Sequence, residues 1–264
     1  MNQQSQIYRK EVPVILTAFG TTAKAFSTYE KMDAVFKEEL PGHNIIWSYS
    51  SRVVKDALKK EKNMDLQDPG QVLESLDRKG HPWAVLQSLH LIGGHELHRL
   101  AAQRNSVKMR TSLGLPLLSS FQDFKDVARA LKPVIPHDPD LAVLVLGHGT
   151  DHPSWTSYYA LEAIMGQEYG PRVFSGVVEG FPEMGETIDR ILKNGFKKVL
   201  IVPLLLVAGV HFMEDITGNE DSWQRQLEHN NIEVSLISHG VGHVDGITRI
   251  FSRHIKEALD VIPL

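Results

Sequence analysis

The sequence contains no cysteine among its 264 residues. This absence excludes disulfide bonds, thiolate metal ligands and cysteine nucleophiles, so a metal ion must use nitrogen or oxygen ligands here. The sequence also lacks the roughly 18 consecutive apolar residues that a transmembrane helix requires. The amino-terminal residues MNQQSQIYRKEVP include no apolar core of a secretory signal. We therefore expect a cytoplasmic protein without a membrane partner.

Dense runs of Lys or Arg are absent as well, and the formal net charge is -4. The sequence thus lacks the clustered basic residues that bind nucleic acid, and we expect no nucleic-acid partner. The hydrophobic share of 42% and the charged share of 23% are those of an ordinary globular protein. Histidine is the exception, with 13 copies. Several of these lie in clusters, at 90, 95 and 98, at 148 and 152, and at 239 and 243.

Short apolar runs alternate with longer amphipathic stretches along the chain. The runs predicted as buried strands are 12–20, 83–89, 141–147, 172–178 and 198–207. The stretches with helical spacing are 23–39, 121–132, 154–167, 183–194 and 246–259. This alternation predicts an α/β fold with mainly parallel sheets that carry helices on both faces.

The proline-rich segment KPVIPHDPD, residues 132–140, is predicted to be a linker. It divides the chain into an amino-terminal α/β half, 1–133, and a carboxy-terminal α/β half, 134–264. We assign most of the candidate metal ligands to the second half.

The two halves resemble each other, which predicts an internal duplication. AFGTT at 18–22 parallels GHGTD at 147–151, and LIGGHE at 91–96 parallels LVAGVH at 206–211, each directly after a predicted strand. Because ligands bind beyond the carboxyl ends of strands in α/β sheets, we expect these segments to line one active-site cleft between the halves.

Candidate metal ligands lie at three of the strand ends in the second half. His148, Glu179 and His211 form a two-histidine, one-carboxylate set that suits Co, Ni, Zn or Fe(II) and leaves coordination positions open. The alternative is that each histidine caps a strand or bonds a nearby carbonyl. Pro153 disfavours a helix that would place His148 and His152 on one face, so His152 is predicted to support the site from outside the coordination sphere.

The turns FGTT and HGTD place Gly and Thr where a strand leads into a helix, and free N–H groups there attract carboxylates or phosphates. The alternative is a tight turn that needs a small residue. Neither turn has the spaced glycines and Lys-Ser/Thr pair of a nucleotide-binding loop, so we expect no nucleotide. GHGTDH has no serine or cysteine at the nucleophile position of a G-x-S-x-G elbow, which disfavours covalent hydrolysis.

Together, ILTAFGTT, QSLHLIGGHE, SLGLPLLSS, LGHGTDH, VVEGFPE and VPLLLVAGVHFMEDITGNEDSW resemble the anaerobic cobalt chelatases that insert Co(II) into sirohydrochlorin for cobalamin synthesis. The resemblance covers essentially the whole chain and keeps the order of the motifs. It implies a class II chelatase, a lyase that needs no ATP, with two flavodoxin-like halves and the tetrapyrrole bound between them.

By motif position, the resemblance implies that His148, Glu179 and His211 bind the metal and that Glu96 faces the macrocycle. We predict His148, His211 and Glu96 to be catalytic. Within the motifs, the residues predicted to contact the tetrapyrrole are Phe19, Gly20, Thr21, Thr22, Leu89, His90, Gly93 and Gly149. Val210 and His95 depart from the family pattern, which often has acidic residues there.

The sequence is also compatible with other functions. The substrate metal could instead be Fe(II), giving siroheme, or the protein could be a module that binds a tetrapyrrole or a metal without catalysis. A homo-oligomer is compatible with the sequence.

Overall fold

Residues 11–21 and 23–263 are described by a computed structural model. The strands are β1 Val14–Ala18, β2 Ile45–Tyr49, β3 Trp83–Ser88, β4 Arg110–Gly114, β5 Leu141–Gly147, β6 Val173–Val177, β7 Lys198–Pro203 and β8 Glu233–Leu236. The α-helices are α1 Ser27–Glu39, α2 Arg52–Lys62, α3 Pro69–Arg78, α4 His95–Gln103, α5 Phe121–Ala130, α6 Thr156–Tyr169, α7 Met184–Lys193, α8 Val210–Thr217, α9 Trp223–His229 and α10 Asp245–Asp260. Short 3₁₀ helices cover Ala23–Phe26, Arg104–Ser106, Lys132–Val134, Pro153–Trp155 and Val241–His243.

The strands form two four-stranded sheets within the described residues, in the orders β2-β1-β3-β4 and β6-β5-β7-β8. Neighbouring strands in both sheets are parallel. The predicted α/β class with parallel sheets is therefore confirmed. In the described part of the chain, no helix is long and apolar enough to cross a membrane.

The first sheet is covered on both faces. Val14, Ile15 and Leu16 of β1 are all fully buried, although successive residues of a strand point to opposite faces. On one face, Ile15 packs in a cluster with Leu73 of α3 and Leu100 of α4. Each fully buried side chain of this type stabilises the fold by about 1.5–3 kcal/mol.

The second sheet is organised in the same way around β5. Leu144 and Leu146 pack on one face in a cluster that includes Ile216 of α8 and Trp223 of α9. Val143, which points to the opposite face, is also fully buried. The central strands of both sheets are therefore mainly apolar, as expected for parallel sheets with two covered faces.

Polar residues at the helix starts explain where several helices begin. Ser51 caps α2, because its hydroxyl accepts a hydrogen bond from the backbone of Val54. Asp68 forms a capping box at α3, and Ser120 forms one at α5. Each cap satisfies N–H groups that lack partners in the first turn and contributes about 1 kcal/mol.

The chain divides into two compact units. One contains the residues up to Ser119 together with those from Ile247 onward, and the other is Ser120–Gly246. This division differs from the boundary expected at 133/134. Helix α5 precedes that boundary yet belongs to the second unit, whereas most of α10 belongs to the first.

Two predicted strands are each four residues longer than the observed ones. The apolar run 198–207 was expected to be a strand throughout, but β7 ends at Pro203. The residues 204–209 form a loop, so His211 lies in helix α8 and does not directly follow a strand. His95 is likewise the first residue of α4 and does not directly follow β3. The run 12–20 contains the shorter strand β1.

Candidate functional site

His148 and Glu179 lie side by side at the carboxyl edge of the second sheet. His148 directly follows β5, and Glu179 is the second residue after the neighbouring strand β6. The backbone N–H of Glu179 donates a hydrogen bond of 2.9 Å to the carbonyl oxygen of His148. Both residues are exposed. Their side chains are therefore accessible to solutes, while their backbones are joined.

Glycines flank His148 and permit this close approach. An added Cβ at Gly149 would lie 1.7 Å from the carbonyl oxygen of Glu179, and Gly149 has a φ of +99°. At Gly147, an added Cβ would lie 2.4 Å from the ring of Tyr158. Only glycine fits at position 149 without moving the backbone, because it has no Cβ to clash with the Glu179 oxygen. The GHG sequence thus allows the turn after β5 to contact both the β6 loop and α6.

Tyr158 supports this turn, although it was not among the predicted site residues. Its hydroxyl oxygen accepts a hydrogen bond of 3.2 Å from the backbone N–H of Gly149. Tyr158 is buried, and burial raises the pKa of its hydroxyl, although the Gly149 hydrogen bond acts in the opposite direction. Tyr158 is therefore neutral and holds the turn by hydrogen bonding and packing.

His211 is the second residue of helix α8, whose N-cap is Gly209. Its side chain lies outside the described part of the structure, so its predicted role as a metal ligand stays a prediction. Among the described residues, no group of three or more His, Asp or Glu side chains is placed to hold a metal ion. Of the three predicted metal ligands, His148 and Glu179 are therefore the two whose side chains the structure describes.

The loop before α8 is anchored by backbone hydrogen bonds on two sides. Leu204 donates to the carbonyl oxygen of Leu146 at the end of β5, at 2.7 Å. Val241 donates to the carbonyl oxygen of Leu205, also at 2.7 Å. An added Cβ at Gly240 would lie 2.4 Å from that same Leu205 oxygen. The path of the chain from β7 to His211 is therefore constrained by β5 and by the turn at 240–242.

His152 has a structural role. Its ring nitrogen Nδ1 accepts a hydrogen bond of 3.1 Å from the backbone of Ser154 and also pairs with the hydroxyl of that residue at 3.0 Å. It thereby caps the 3₁₀ helix Pro153–Trp155. As expected from Pro153, residues 148 and 152 do not share a helix.

Three aromatic rings pack together in the second unit, and one of them, Phe181, is two residues from Glu179 in sequence. Phe181 is 49% exposed, and its ring centroid is 6.1 Å from that of Trp155. The ring of Tyr159 is 5.8 Å from that of Trp155. These three residues form an aromatic surface in the second unit that was not predicted, although Phe181 lies within the quoted VVEGFPE motif.

In the first unit, Glu96 lies in the first turn of α4. One carboxylate oxygen, Oε2, accepts a hydrogen bond of 3.2 Å from the hydroxyl of Ser50. The other oxygen forms an ion pair with Arg99 one turn further along the helix. The side chain of Glu96 is 28% exposed, so this predicted catalytic carboxylate is accessible but already paired.

His90 lies beside Glu96 in a buried environment. Its Nδ1 is 2.9 Å from the hydroxyl of Ser88. Its Nε2 is 4.0 Å from Oε2 of Glu96 and has no hydrogen-bond partner among the described residues. Burial lowers the pKa of His90 to about 4, although the neighbouring Glu96 favours the charged form. His90 is therefore neutral near pH 7 and lacks the charge to attract an anion.

The remaining predicted contact residues differ in their surroundings. Phe19 is 53% exposed, whereas Thr21 and Leu89 are buried. Gly20 has a φ of +103° and packs against Val54. Thr22 lies outside the described residues, and Gly93 has room for a Cβ, with its nearest contact at 3.7 Å.

A 3₁₀ helix follows each of the two predicted anion-binding turns, Ala23–Phe26 after the first and Pro153–Trp155 after the second. The α-helix beyond each of them, α1 or α6, has no side-chain cap. The anion-binding role of these turns stays a prediction.

Comparison with known proteins gives the family context of this geometry. The chain is 29% identical to the sirohydrochlorin cobaltochelatase of Salmonella typhimurium, over 94% of this chain and 96% of that protein. It is 28% identical to the sirohydrochlorin cobaltochelatase CbiKC of Nitratidesulfovibrio vulgaris, over 94% of this chain and 91% of that protein.

Among solved structures, SirB from Bacillus subtilis with Fe³⁺ is similar in fold. It has a TM-score of 0.63 and 19% sequence identity, and the match covers 94% of this chain and 95% of that one. The sequence model of the cobalt chelatase (CbiK) family matches residues 13–260, which include both sheets and every predicted site residue. The chain therefore belongs to the cobalt chelatase (CbiK) family.

Proposed function

We propose that this protein inserts Co(II) into sirohydrochlorin without ATP, as a step of anaerobic cobalamin biosynthesis. The observation that carries the proposal is the family match over residues 13–260, which spans both described sheets. Two relatives that align along nearly the whole chain are sirohydrochlorin cobaltochelatases. The exposed pair of His148 and Glu179 adds ligand chemistry that suits Co(II).

In this proposal His148, Glu179 and His211 receive the metal, which is a substrate that the site must release. Two imidazoles and one carboxylate leave coordination positions open, so macrocycle nitrogens can replace protein ligands one at a time. The exposure of His148 and Glu179 supports this role, because a metal in transit needs an accessible site. Gly149 and Tyr158 hold the turn that carries His148.

Insertion also requires that the macrocycle lose two pyrrole protons. Glu96 is the proposed acceptor, since a carboxylate near the reacting nitrogens can act as a general base. The hydroxyl of Ser50 donates a hydrogen bond that orients the carboxylate, and Arg99 pairs with its other oxygen before the substrate binds. His90 is neutral near pH 7, and its unpartnered Nε2 faces Glu96 without adding a positive charge.

The aromatic surface formed by Trp155, Tyr159 and Phe181 suits contact with a flat conjugated ring. Aromatic rings bury large apolar areas and pack against other π-systems in offset or edge-on geometries. Phe181 is two residues from Glu179, so this surface and the proposed metal ligand lie in the same loop region. We assign it to the tetrapyrrole.

The proposal retains the finer expectations from the sequence. These are a cytoplasmic enzyme that uses no nucleotide and binds neither nucleic acid nor membranes. Fe(II) insertion, which would give siroheme, is the alternative reaction, and the Bacillus subtilis SirB structure with Fe³⁺ supports considering it.

The test mixes purified protein with sirohydrochlorin and either Co(II) or Fe(II) under anaerobic conditions and follows the absorption change of the macrocycle. We expect Co(II) insertion well above the uncatalysed rate and faster than Fe(II) insertion. Faster Fe(II) insertion would favour the alternative. If the protein binds sirohydrochlorin but accelerates insertion of neither metal, it is a non-catalytic module.

A further inference from the structure

A cavity of about 210 Å³ lies in the first unit, beside the predicted catalytic carboxylate. It is lined by residues from the ends of β1 and β2 and from helices α2, α3 and α4. Phe19 and Glu96, both predicted site residues, are among them, together with Arg52 and Arg99. The cavity therefore joins an exposed aromatic ring, a carboxylate and two guanidinium groups.

Two arginines and one glutamate line this cavity, so its lining carries one more positive than negative charge. Arg99 is paired with Glu96, and its side chain is 73% exposed. Arg52 has only a long contact of 3.8 Å with Asp56, and its side chain is 91% exposed. Lys55 on the same helix is committed to Asp68 at 3.1 Å. Arg52 and Arg99 are thus the cations that can reach a ligand.

The hydrogen-bonding groups of the cavity favour an oxygen-rich anion. Arginine presents several N–H donors in a planar fork that matches a carboxylate. The amide oxygen of Gln103 is buried at the cavity wall, and no described residue forms a hydrogen bond with it. Rotation of that amide by half a turn would direct an N–H donor into the same space.

We propose that Arg52 and Arg99 bind a carboxylate side chain of the tetrapyrrole in this cavity. This inference rests on the proposed function, because sirohydrochlorin carries acetate and propionate groups around its ring. The protein has a net charge of -4, so a local excess of positive charge is needed to attract a polyanionic substrate. Phe19, 53% exposed at the same cavity, supplies an apolar contact for the ring edge.

Substrate binding at this cavity also affects Glu96. The substrate carboxylate competes with Glu96 for Arg99, since both are anions and the guanidinium is shared. Binding of the substrate therefore draws Arg99 away from Glu96. The Glu96 carboxylate is then released from this ion pair at the stage when the pyrrole protons must leave.

Binding of metal-free porphyrins, followed by fluorescence quenching, tests the cavity without any insertion reaction. The probes are uroporphyrin I, which carries acetates and propionates, and coproporphyrin I, in which methyl groups replace the acetates. We expect R52Q and R99Q each to weaken uroporphyrin I binding about tenfold, equivalent to about 1.4 kcal/mol. R99K should recover only part of the affinity, because lysine keeps the positive charge but lacks the planar fork of donors. A larger loss for uroporphyrin I than for coproporphyrin I would assign the cavity to an acetate, and equal losses to a propionate.

R78Q is the matched control. Arg78 is also 73% exposed, and it also pairs with a glutamate on its own helix, Glu74 at 3.9 Å, but it does not line the cavity. R78Q should bind uroporphyrin I like the unmodified protein. Unchanged affinity in both R52Q and R99Q, or an equal loss in R78Q, would overturn the proposal.

E96Q gives a second test, in which binding should become tighter and not weaker. Removing the competing carboxylate should tighten uroporphyrin I binding several-fold while insertion of Co(II) slows. Weaker or unchanged binding by E96Q would contradict competition for Arg99. Because these titrations contain no metal, a protein that binds through Arg52 and Arg99 but inserts no metal would refute the proposed function and leave this site standing.

Discussion

Replacement of Gly149 by alanine tests the contact that joins His148 to Glu179. A residue other than glycine at a φ of +99° is strained by about 1–3 kcal/mol. The added Cβ would lie 1.7 Å from the Glu179 carbonyl oxygen, so the backbone at 178–180 must move. That movement breaks the Glu179 to His148 hydrogen bond, worth about 1 kcal/mol. We expect the free energy of unfolding to fall by about 2–4 kcal/mol.

Urea unfolding, followed by circular dichroism and tryptophan fluorescence, measures this change. Titration with Co(II) measures its effect on the proposed metal site, and we expect G149A to bind Co(II) more weakly because His148 and Glu179 separate. G185A is the control, because an added Cβ there has no neighbour within 4 Å. Alanine in that helix should leave stability unchanged or raise it by up to about 1 kcal/mol.

The reasoning would be refuted if G149A unfolded at the same urea concentration as the unmodified protein. It would also be refuted if G149A and G185A lost equal stability. Loss of stability in G149A with unchanged Co(II) affinity would show that the turn supports the fold without positioning metal ligands.

Three further results are expected. H148A and H211A should lose most Co(II) insertion while keeping the circular dichroism spectrum of the folded protein, whereas H137A, which removes an exposed histidine of the segment before β5, should keep its rate. E179Q should weaken Co(II) binding in calorimetric titrations, because an amide lacks the negative charge of the carboxylate, and unchanged affinity would remove Glu179 from the ligand set. Burial lowers the pKa of His90 to about 4, so only the unfolded chain gains a proton there as the pH falls below about 6.5. Stability should therefore fall by up to about 1.4 kcal/mol per pH unit between about pH 6.5 and pH 4. H90Q should lessen that dependence in urea unfolding, and an identical pH profile would contradict it.

The central strands were predictable from the sequence, and most edge strands were not. Strands β1, β3, β5 and β7 lie within predicted apolar runs, because a strand covered on both faces is mainly apolar. The strands missing from the prediction, β2, β4 and β8, are all at sheet edges. In β8, partly buried and exposed residues alternate over only four positions, which is too short a pattern to identify a strand.

The overlong prediction for β7 has a different cause. Residues 204–207 continue its apolar run, but they form a loop anchored between β5 and the turn at 240–242. Leu204 is buried and residues 205–207 are partly buried, so this loop uses apolar residues as a buried strand does. Hydrophobic pattern alone cannot separate them, because the difference lies in the backbone hydrogen bonds that the tertiary structure supplies.

The sequence by itself determined the α/β class, the family and the identity of candidate residues such as His148, Glu179 and Glu96. These follow from local patterns, from motif order and from the ligand chemistry of histidine and carboxylate side chains. Only the tertiary structure decided that His148 and Glu179 are neighbours, because β6 pairs with β5 in the sheet. It also decided that Tyr158 holds the turn and that Arg52 and Arg99 share a cavity with Glu96. Such contacts join residues far apart in sequence, and the order of strands and the packing of helices create them.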